Sequence, residues 1–409
     1  MNKLLDRFLK YVAFDTQSSD RTGEHPSTAK QFALAQYLVE ELKSLGVEDV
    51  ILTSKCYIYA KLPASPGCEH IPPLGFIAHL DTSDAASSRN VKPQIIPDWN
   101  GEPIALGSSG IELHPLEQLQ GHTLITTDGT TLLGADDKAG IAVIMTAVEQ
   151  LLQQSPQQHG PLRIAFTPDE EIGEGTAFFD ADYFDADYAY TVDSTEVELV
   201  ESENFNAARA DISIRGVATH PGYAFGVMRN ALTMAMEFNA MLPADEVPEK
   251  TRDRQGFYHL INLTGTASAA NMSYLVRDHD RQRFEERKNF LQQLVEQLNR
   301  QYSSNTFSIN IKDQYFNMAE VINCYPFLLE KARAAIRAQG LTPANPPIRG
   351  GTDGAQLARK GLPCPNLSYG AYNPHSELEY ADLENMQKAC RILLHIIDSF
   401  ITEPPHRRR

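Results

Sequence analysis

Five short motifs place side chains that bind metals at or near the ends of predicted strands. In chain order they are His79-Leu80-Asp81, the segment Gly134 to Gly140, Asp169-Glu170-Glu171, Val192-Asp193-Ser194 and Asn373-Pro374-His375. In open α/β sheets, ligands bind at the carboxyl ends of the strands. We therefore expect these side chains to meet in one site.

The first motif closes the predicted strand Leu74 to His79. Residues i and i+2 of a strand point to the same side, so His79 and Asp81 can act together. The imidazole of His79 can bind a metal while Asp81 accepts its other N–H and fixes the tautomer. The alternative is a buried histidine at a strand end with a neighbouring aspartate.

The second motif, Gly134-Ala-Asp136-Asp137-Lys138-Ala-Gly140, stands directly before a predicted helix. Small residues let the backbone turn tightly beside a ligand, and a carboxylate here can bridge two cations. The alternative is a helix start, because aspartate favours the N-cap and the positive end of the helix dipole.

Three consecutive acids, Asp169, Glu170 and Glu171, follow the predicted strand Leu162 to Phe166. They repel one another unless a cation neutralises them, and a metal does this. One glutamate could then be a ligand and the other a base. A solvated acidic turn is the alternative. Asp193 and His375 are weak signals when each is taken alone.

Two histidines, two aspartates and a glutamate form a mixed nitrogen and oxygen ligand set: His79, Asp136, Glu171, Asp193 and His375. Such a set suits zinc, or cobalt or manganese as substitutes. Two metals would explain why so many carboxylates gather. The chemistry that this combination favours is metal-assisted hydrolysis.

The elements that must position these residues alternate between strand and helix over the first 200 residues, which predicts an α/β layer with helices on both faces. The segment from Gly101 to Thr130 is expected to be irregular and to lie on the surface. From about residue 206 to residue 318 the pattern changes to the order β-α-β-β-α-β, which is typical of a split βαβ sandwich. A small α+β domain is therefore predicted inside a larger α/β domain.

Composition excludes several classes of function. The net charge of −17 repels nucleic acid and anionic membranes, and no apolar run is long enough for a membrane span. No uninterrupted apolar stretch typical of a signal peptide occurs near the N-terminus. Five cysteines, an odd number without a CxxC spacing, indicate reduced thiols in the cytoplasm.

Taken together, the motifs resemble the signature of the co-catalytic zinc peptidases, a family that includes carboxypeptidase G and several amino-acid deacylases. The resemblance also rests on the FTPDEEIG form around Glu170 and on Arg349-Gly-Gly-Thr-Asp-Gly354, and it covers essentially the whole chain. It departs from the pattern slightly after His375, where the sequence reads Ser-Glu-Leu-Glu.

The resemblance implies a zinc-exopeptidase-like catalytic domain, residues 1–205 and 319–409, with a mixed central sheet flanked by helices. Residues 206–318 would form an inserted lid that also makes a homodimer. Two zinc ions per subunit are implied, one held by His79, Asp136 and Asp193. The other would be held by Asp136, Glu171 and His375, with Asp136 bridging the two. A cis peptide bond between Asp136 and Asp137 is also implied.

Further roles come from the same resemblance. Glu170 would be the general base, and Asp81 would support His79. His220, in the segment Ala218 to Gly222, would stabilise the tetrahedral oxyanion. Arg277 and Arg349 would bind the carboxylate of a peptide, unless they form structural ion pairs, and Asn373 is also assigned to substrate binding.

The expected activity is that of a metallo-aminopeptidase that removes the N-terminal residue of tripeptides. An N-acyl amino-acid deacylase or a dipeptidase with the same metals is the alternative enzyme. A catalytically silent peptide-binding protein should have lost the base or a ligand, whereas Glu170 and all five candidate ligands are present in this sequence.

Overall fold

The computed structural model describes residues 3–107, 109–153 and 158–408. The helices are α1 (Lys3–Val12), α2 (Gln31–Ser44), α3 (Ala135–Gln153), α4 (Ala181–Phe184), α5 (Ala231–Ala240), α6 (Arg281–Tyr302), α7 (Ala319–Ile322), α8 (Pro326–Ala338), α9 (Asp353–Arg359) and α10 (Leu383–Thr402). The strands are β1 (Asp49–Leu52), β2 (Ile58–Leu62), β3 (Leu74–His79), β4 (Gln94–Ile96), β5 (Ile104–Ala105), β6 (Glu112–Leu113), β7 (Leu124–Thr126), β8 (Leu162–Thr167), β9 (Tyr188–Val192), β10 (Val200–Glu201), β11 (Asn206–Arg215), β12 (Phe257–Gly265), β13 (Ala269–Asp278), β14 (Phe307–Tyr315), β15 (Asn366–Leu367), β16 (Ala371–Tyr372) and β17 (Tyr380–Asp382).

The chain forms two compact units. The first contains Met1–Ser202, Glu320–Pro346 and Thr352–Arg409, and the second contains Glu203–Ala319 and Pro347–Gly351. Among the described residues, none of the helices has both the length and the apolar character that a membrane crossing requires.

A seven-stranded mixed sheet forms the centre of the first unit, in the order β1-β2-β8-β3-β9-β15-β10. The inner strands β8, β3, β9 and β15 run parallel, while β1, β2 and β10 join antiparallel to their neighbours. Strands β3, β8 and β9 are buried along their whole length, as parallel strands covered on both faces are. The predicted mixed central sheet is thus confirmed.

Helix α3 explains how the sheet is covered. It is in contact with β3, β9, α1 and α10, and the segment from Ala139 to Glu149 is buried on every side. A helix that is apolar all round must be enclosed in this way. On α4 and α9, Phe184 and Leu357 pack in one buried cluster with Ile77 of β3.

The segment from Gly101 to Thr130 is irregular and exposed over much of its length, as predicted, but it is not wholly a surface loop. It contains β5, β6 and β7, and β7 joins a second sheet in the order β16-β17-β7-β4. Leu106, Leu113 and Leu119 are buried in a cluster with Trp99 and Tyr380. These strands have only two or three residues each, which is too short for an alternation pattern to be visible in the sequence.

The second unit follows the predicted order β-α-β-β-α-β, as β11, α5, β12, β13, α6 and β14. Its sheet is antiparallel throughout, in the order β12-β13-β11-β14. The side chains of Asn230 and Asp280 cap α5 and α6 at their N-termini, so the sequence fixes where both helices begin. Phe238 of α5 and Leu291 of α6 pack on this sheet in the core of the unit.

Candidate metal centre

Three adjacent parallel strands bring the first candidate ligands together. His79 is the last residue of β3, Glu170 and Glu171 form a short turn after β8, and Asp193 directly follows β9. Because the sheet order is β8-β3-β9, the carboxyl ends of these strands lie side by side. This is the edge at which α/β sheets bind ligands.

Asp136 lies between the two histidines. His79 Nε2 is 3.0 Å from Oδ1 of Asp136, and His375 Nε2 is 3.1 Å from Oδ2 of the same carboxylate. The two imidazoles thus contact different carboxylate oxygens of one aspartate. A carboxylate in this position can bridge two cations, each of which would also contact one histidine.

Each histidine has a second acid beside it. His79 Nε2 is 3.6 Å from Asp193 Oδ1, and His375 Nε2 is 2.8 Å from Glu171 Oε2. Glu170 belongs to the same cluster, since its carboxylate lies within 4.8 Å of the ligand atoms of His79 and Asp193. The structure therefore gathers all five predicted ligands and the predicted base in the first unit.

The electrostatics of this cluster favour a positive ion. Burial raises the pKa of Glu171 to about 8, with the charge of Asp136 adding to the rise, and burial raises the pKa of Asp193 to about 6. Burial also opposes ionisation of Asp136, but its hydrogen bonds with His375 and His79 outweigh this and lower its pKa. Hydrogen bonds to Asp136 and Glu171 raise the pKa of His375 to about 11.

The donor set fits a pair of bound metal ions. Glu171 Oε1 is buried and has no hydrogen-bond partner among the described residues, and such an atom costs free energy unless a ligand satisfies it. Two imidazole nitrogens and several carboxylate oxygens are the donors that zinc prefers. The residues present therefore fit the metals that the sequence implies.

Asp81 contacts His79 through both its main-chain oxygen and its carboxylate. Nδ1 of His79 lies 3.0 Å from the main-chain oxygen of Asp81 and 3.4 Å from its carboxylate. Since a carbonyl oxygen can only accept, Nδ1 carries a proton, which would leave Nε2 to face a bound metal. The carboxylate of Asp81 also accepts the backbone N–H groups of Glu170 and Glu171.

The backbone of the segment Gly134 to Gly140 is closely packed around Asp136. The peptide bond between Asp136 and Asp137 is cis, as the resemblance implies. Asp137, whose role the sequence did not indicate, accepts the backbone N–H of His79 at 3.0 Å. A Cβ atom at Gly140 would lie 2.1 Å from the carbonyl oxygen of Val192, so only glycine fits there.

Asp169 does not belong to the metal cluster, although it is the first of the three consecutive acids. Its buried carboxylate accepts hydrogen bonds from Ser27 N, Ser27 Oγ and Gln31 Nε2, each at 2.6 Å. Its φ of 59° turns the chain so that the next two glutamates face the histidines. Asp169 thus anchors the turn to the first residue of α2 and to the segment before it.

Glu379 is a site residue that the sequence analysis missed. It follows His375 by four positions, is 2% exposed, and accepts backbone N–H groups from the loop that carries Asp136. The only signal available was the Ser-Glu-Leu-Glu segment after His375, where the sequence departs from the family pattern.

The remaining predicted residues have partners within their own units. Asn373, in the loop of His375, donates from Nδ2 to the carbonyl of Leu378 at 3.2 Å. His220, Arg277 and Arg349 belong to the second unit.

Both arginines already donate to oxygens of the second unit. Arg277 is buried and donates to the carbonyls of Ala208 and Val276. Arg349 donates to the carbonyls of Asp253 and Gln255. Neither contact is the ion pair that the sequence left open as an alternative. His220 is exposed, and its Nδ1 accepts the N–H of Gly222 at 3.1 Å.

Another set of possible ligands, His122, Asp382 and Glu384, already has protein partners. Asp382 caps α10 by accepting the N–H of Asn385 at 2.8 Å and lies 2.6 Å from His122 Nδ1. Glu384 accepts the N–H of Thr123 at 2.7 Å. These contacts join α10 to the start of β7 and fit a structural role.

Comparison with known proteins agrees with this geometry. Residues 123–399 match the model of the peptidase family M20/M25/M40. The chain is 45% identical over 407 residues to peptidase T of Alkaliphilus oremlandii, which covers 98% of this chain and all of that protein. It is 49% identical over 405 residues to peptidase T of Escherichia fergusonii, with 97% of this chain and 98% of that one covered.

Solved structures show the same fold. Aminopeptidase PepT from Bacillus cereus superposes with a TM-score of 0.77 at 22% identity, and a tripeptidase from Staphylococcus aureus superposes with a TM-score of 0.79 at 20% identity. Each comparison covers 98% of both chains. With a family match over most of its length and close relatives along all of it, the chain belongs to the peptidase family M20/M25/M40, among the peptidases T.

Proposed function

We propose that the chain is a zinc-dependent aminotripeptidase that hydrolyses the N-terminal peptide bond of tripeptides. The observation that carries the proposal is the placement of His79 and His375 on opposite oxygens of the Asp136 carboxylate. Relatives of nearly equal length are peptidases T, and a protein of the same fold is described as a tripeptidase.

Two zinc ions are the proposed cofactors, with cobalt or manganese as possible substitutes. His79, Asp136 and Asp193 would hold one ion, and Asp136, Glu171 and His375 would hold the other. Bound zinc supplies Lewis acidity, which lowers the pKa of water and polarises the carbonyl of the scissile bond. The buried, unpartnered Oε1 atom of Glu171 supports this assignment.

Glu170 is proposed as the general base. Its carboxylate takes a proton from the attacking water, whose oxygen forms the new bond to the peptide carbon. The same proton is returned to the nitrogen of the breaking C–N bond, which leaves as an amine. Burial, followed by the charge of Asp193, places the pKa of Glu170 well above its ordinary value, and a carboxylate with a raised pKa is the stronger base.

Substrate binding is assigned to His220, Arg277, Arg349 and Asn373. Guanidinium groups suit the terminal carboxylate of a peptide because their N–H donors match its two oxygens. The imidazole of His220 is exposed and could donate to an oxyanion. We also propose that the chain forms a homodimer through the domain at residues 206–318, with His220 reaching the partner's site.

Further observations support a second copy as partner. Tyr223 and Phe225, close to His220 in sequence, are 79% and 103% exposed, and β12 is exposed from Ile261 to Gly265.

All five cysteines are free, which supports the cytoplasm as the location. The net charge of −17 argues against nucleic acid and anionic membranes as partners.

A substrate panel tests the activity. Tripeptides, dipeptides and acetylated amino acids are offered to the zinc-loaded protein and to protein stripped with a chelator. We expect turnover of tripeptides with a free N-terminus, its loss on stripping, and its return with zinc. Preferred cleavage of acetylated amino acids or of dipeptides would establish the deacylase or the dipeptidase instead. Full activity after complete removal of metal would contradict all three of these metal-dependent activities.

A further inference from the structure

Glu379 joins the loop that carries Asp136 to the loop that carries His375. Its Oε2 atom accepts the N–H groups of Leu133 at 2.8 Å and Gly134 at 2.7 Å. Its Oε1 atom accepts the N–H of Asp136 at 2.9 Å. One buried carboxylate thus serves three backbone donors of a loop that lies more than 240 residues away in the sequence.

The position of Glu379 is itself well defined. The next residue, Tyr380, begins β17 and pairs with Tyr372 of β16 and Thr126 of β7. Glu379 also donates its own N–H to the carbonyl of Ser376 at 3.2 Å, within the loop that carries His375. The carboxylate therefore extends from a sheet to hold the loop of Asp136.

The histidine in these loops has less local support than His79 and Asp193. The side chain of His375 is 46% exposed, and His375 has a φ of 61°. By contrast, His79 lies at a strand end and is held by Asp81 and Asp137, and the N–H of Asp193 donates to the carbonyl of Leu367 at 2.9 Å.

We infer that Glu379 is a positioning residue that holds Asp136 and His375 at the spacing that metal binding by this pair requires. This inference rests on the proposed function, because it concerns the ion assigned to Asp136, Glu171 and His375. Glu379 is not among the proposed ligands and acts through the backbone of Asp136. Partners behind the ligands typically change metal affinity by roughly 10–100-fold when they are removed.

The inference makes the two ions respond unequally. His79 and Asp193 keep their own supports when Glu379 is altered, whereas Asp136 and His375 lose the link between their loops. A change at Glu379 should therefore weaken the binding of the ion at His375 more than the binding of the ion at His79.

Two variants separate position from charge. Glu379→Gln keeps the size but turns one acceptor oxygen into an N–H₂ group that faces backbone donors. Glu379→Asp keeps the charge and both oxygens but is one methylene shorter. Glu377→Gln is the matched control, because Glu377 lies in the same loop and is exposed.

Each protein is dialysed against buffers of decreasing free zinc, and zinc per chain is counted by mass spectrometry. We expect both Glu379 variants to lose one equivalent at roughly 10–100-fold higher free zinc than the wild type. The other equivalent, which also depends on Asp136, should shift less, and the Glu377→Gln protein should follow the wild type. Zinc should raise the unfolding temperature of the Glu379 variants by less than it raises that of the wild type. A purely structural loss would instead lower the unfolding temperature by the same amount with and without zinc.

Folded Glu379 variants that keep both equivalents at wild-type free zinc would overturn the inference and leave the proposed function intact. Recovery of wild-type behaviour in Glu379→Asp alone would also overturn it, since charge and not reach would then matter. A wild-type chain that takes up no zinc would overturn the proposed function together with the inference.

Discussion

The Oδ1 atom of Asp81 accepts the backbone N–H of Glu170 at 3.0 Å, which joins the end of β3 to the acidic turn after β8. The Oδ2 atom accepts the N–H of Glu171 at 3.2 Å. One carboxylate thus orients two consecutive glutamates, while the carbonyl oxygen of the same residue orients His79. The side chains of Glu170 and Glu171, held in this way, can point in different directions and have different roles.

The first prediction separates base from ligand in this turn. Glu170→Gln keeps the shape but removes the base, so turnover of tripeptides should fall by about 10²–10⁴-fold. Its zinc content should stay near that of the wild type. Glu171→Ala removes a ligand and should lose zinc as well as activity. Steady-state kinetics and metal analysis of the same preparations measure both effects.

Glu174→Gln is the control for this pair, because Glu174 is exposed and lies three positions further along the same turn. It should retain both activity and zinc. Near-normal turnover by zinc-loaded Glu170→Gln protein would show that Glu170 is not the base.

The second prediction concerns Asp169, the acid that points away from the cluster. Asp169→Asn removes one acceptor from a buried group with three hydrogen bonds. The free energy of unfolding should fall by about 1–3 kcal/mol. Asparagine tolerates the positive φ of this position, so the loss measures hydrogen bonding and not backbone strain. Chemical denaturation of metal-free protein gives the value.

Asp253→Asn provides the comparison, since Asp253 also has a positive φ, of 48°, but its side chain is 75% exposed. Its unfolding free energy should stay within about 0.5 kcal/mol of the wild type. Equal destabilisation by both substitutions would mean that the contacts of Asp169 with Ser27 and Gln31 contribute little.

The ligand set could be predicted from the sequence because it depends on residue type and on position after a strand. His79 ends a strand whose apolar run is visible in the sequence, Glu171 and Asp193 follow such strands, and β3 has the predicted bounds. Residue type and spacing alone could not assign different roles to the three adjacent acids, because Asp169, with its φ of 59°, is held by partners more than 130 residues away.

Glu379 escaped prediction for a related reason. Its partners are backbone N–H groups of Leu133, Gly134 and Asp136, and a main-chain donor has no sequence signature. The short strand β17 beside it has too few residues for a periodic pattern. The chemistry of the side chains could thus be predicted from the sequence. Their support by backbone groups that are distant in the sequence could not.

The third prediction concerns the contact between α1 and α3. Arg7 lies 2.7 Å from Glu149 and 2.6 Å from Glu41, and Lys3 also pairs with Glu149. Burial raises the pKa of Glu149, but the hydrogen bonds from Lys3 and Arg7 outweigh it and lower the pKa. A lowered pKa in the folded state means that ionised Glu149 stabilises the fold.

This stabilisation is complete above the unfolded pKa of about 4.3 and is lost as the pH falls through the lower folded value. Glu149→Gln should therefore cost about 1–3 kcal/mol at neutral pH, and the difference from wild type should shrink below about pH 4. Urea denaturation of metal-free protein at several pH values measures it. Glu40→Gln, at an exposed position of α2, should show no such dependence. A difference that grows on acidification would contradict the assignment.

The last prediction concerns the proposed reach of His220 into the partner's site. His220→Gln should lower kcat by about 10²–10³-fold, the usual loss when one donor to an oxyanion is removed. Zinc content should not change, because His220 is not among the proposed ligands. Glu170→Gln protein is inactive for a different reason, so the two variants can be combined in one dimer by co-expression with different affinity tags.

A hybrid dimer that carries both tags holds one chain of each variant. If His220 acts across the dimer, the chain with intact Glu170 receives an intact His220 from its partner, and the other site lacks both groups. The hybrid should then recover about half of the wild-type activity, because one of two symmetric sites is complete. If His220 serves its own chain, each site of the hybrid lacks one group and activity stays at the level of the parents. The second outcome, or a fully active monomer in sedimentation, would rule out the shared site, whereas recovery would require the dimer for catalysis.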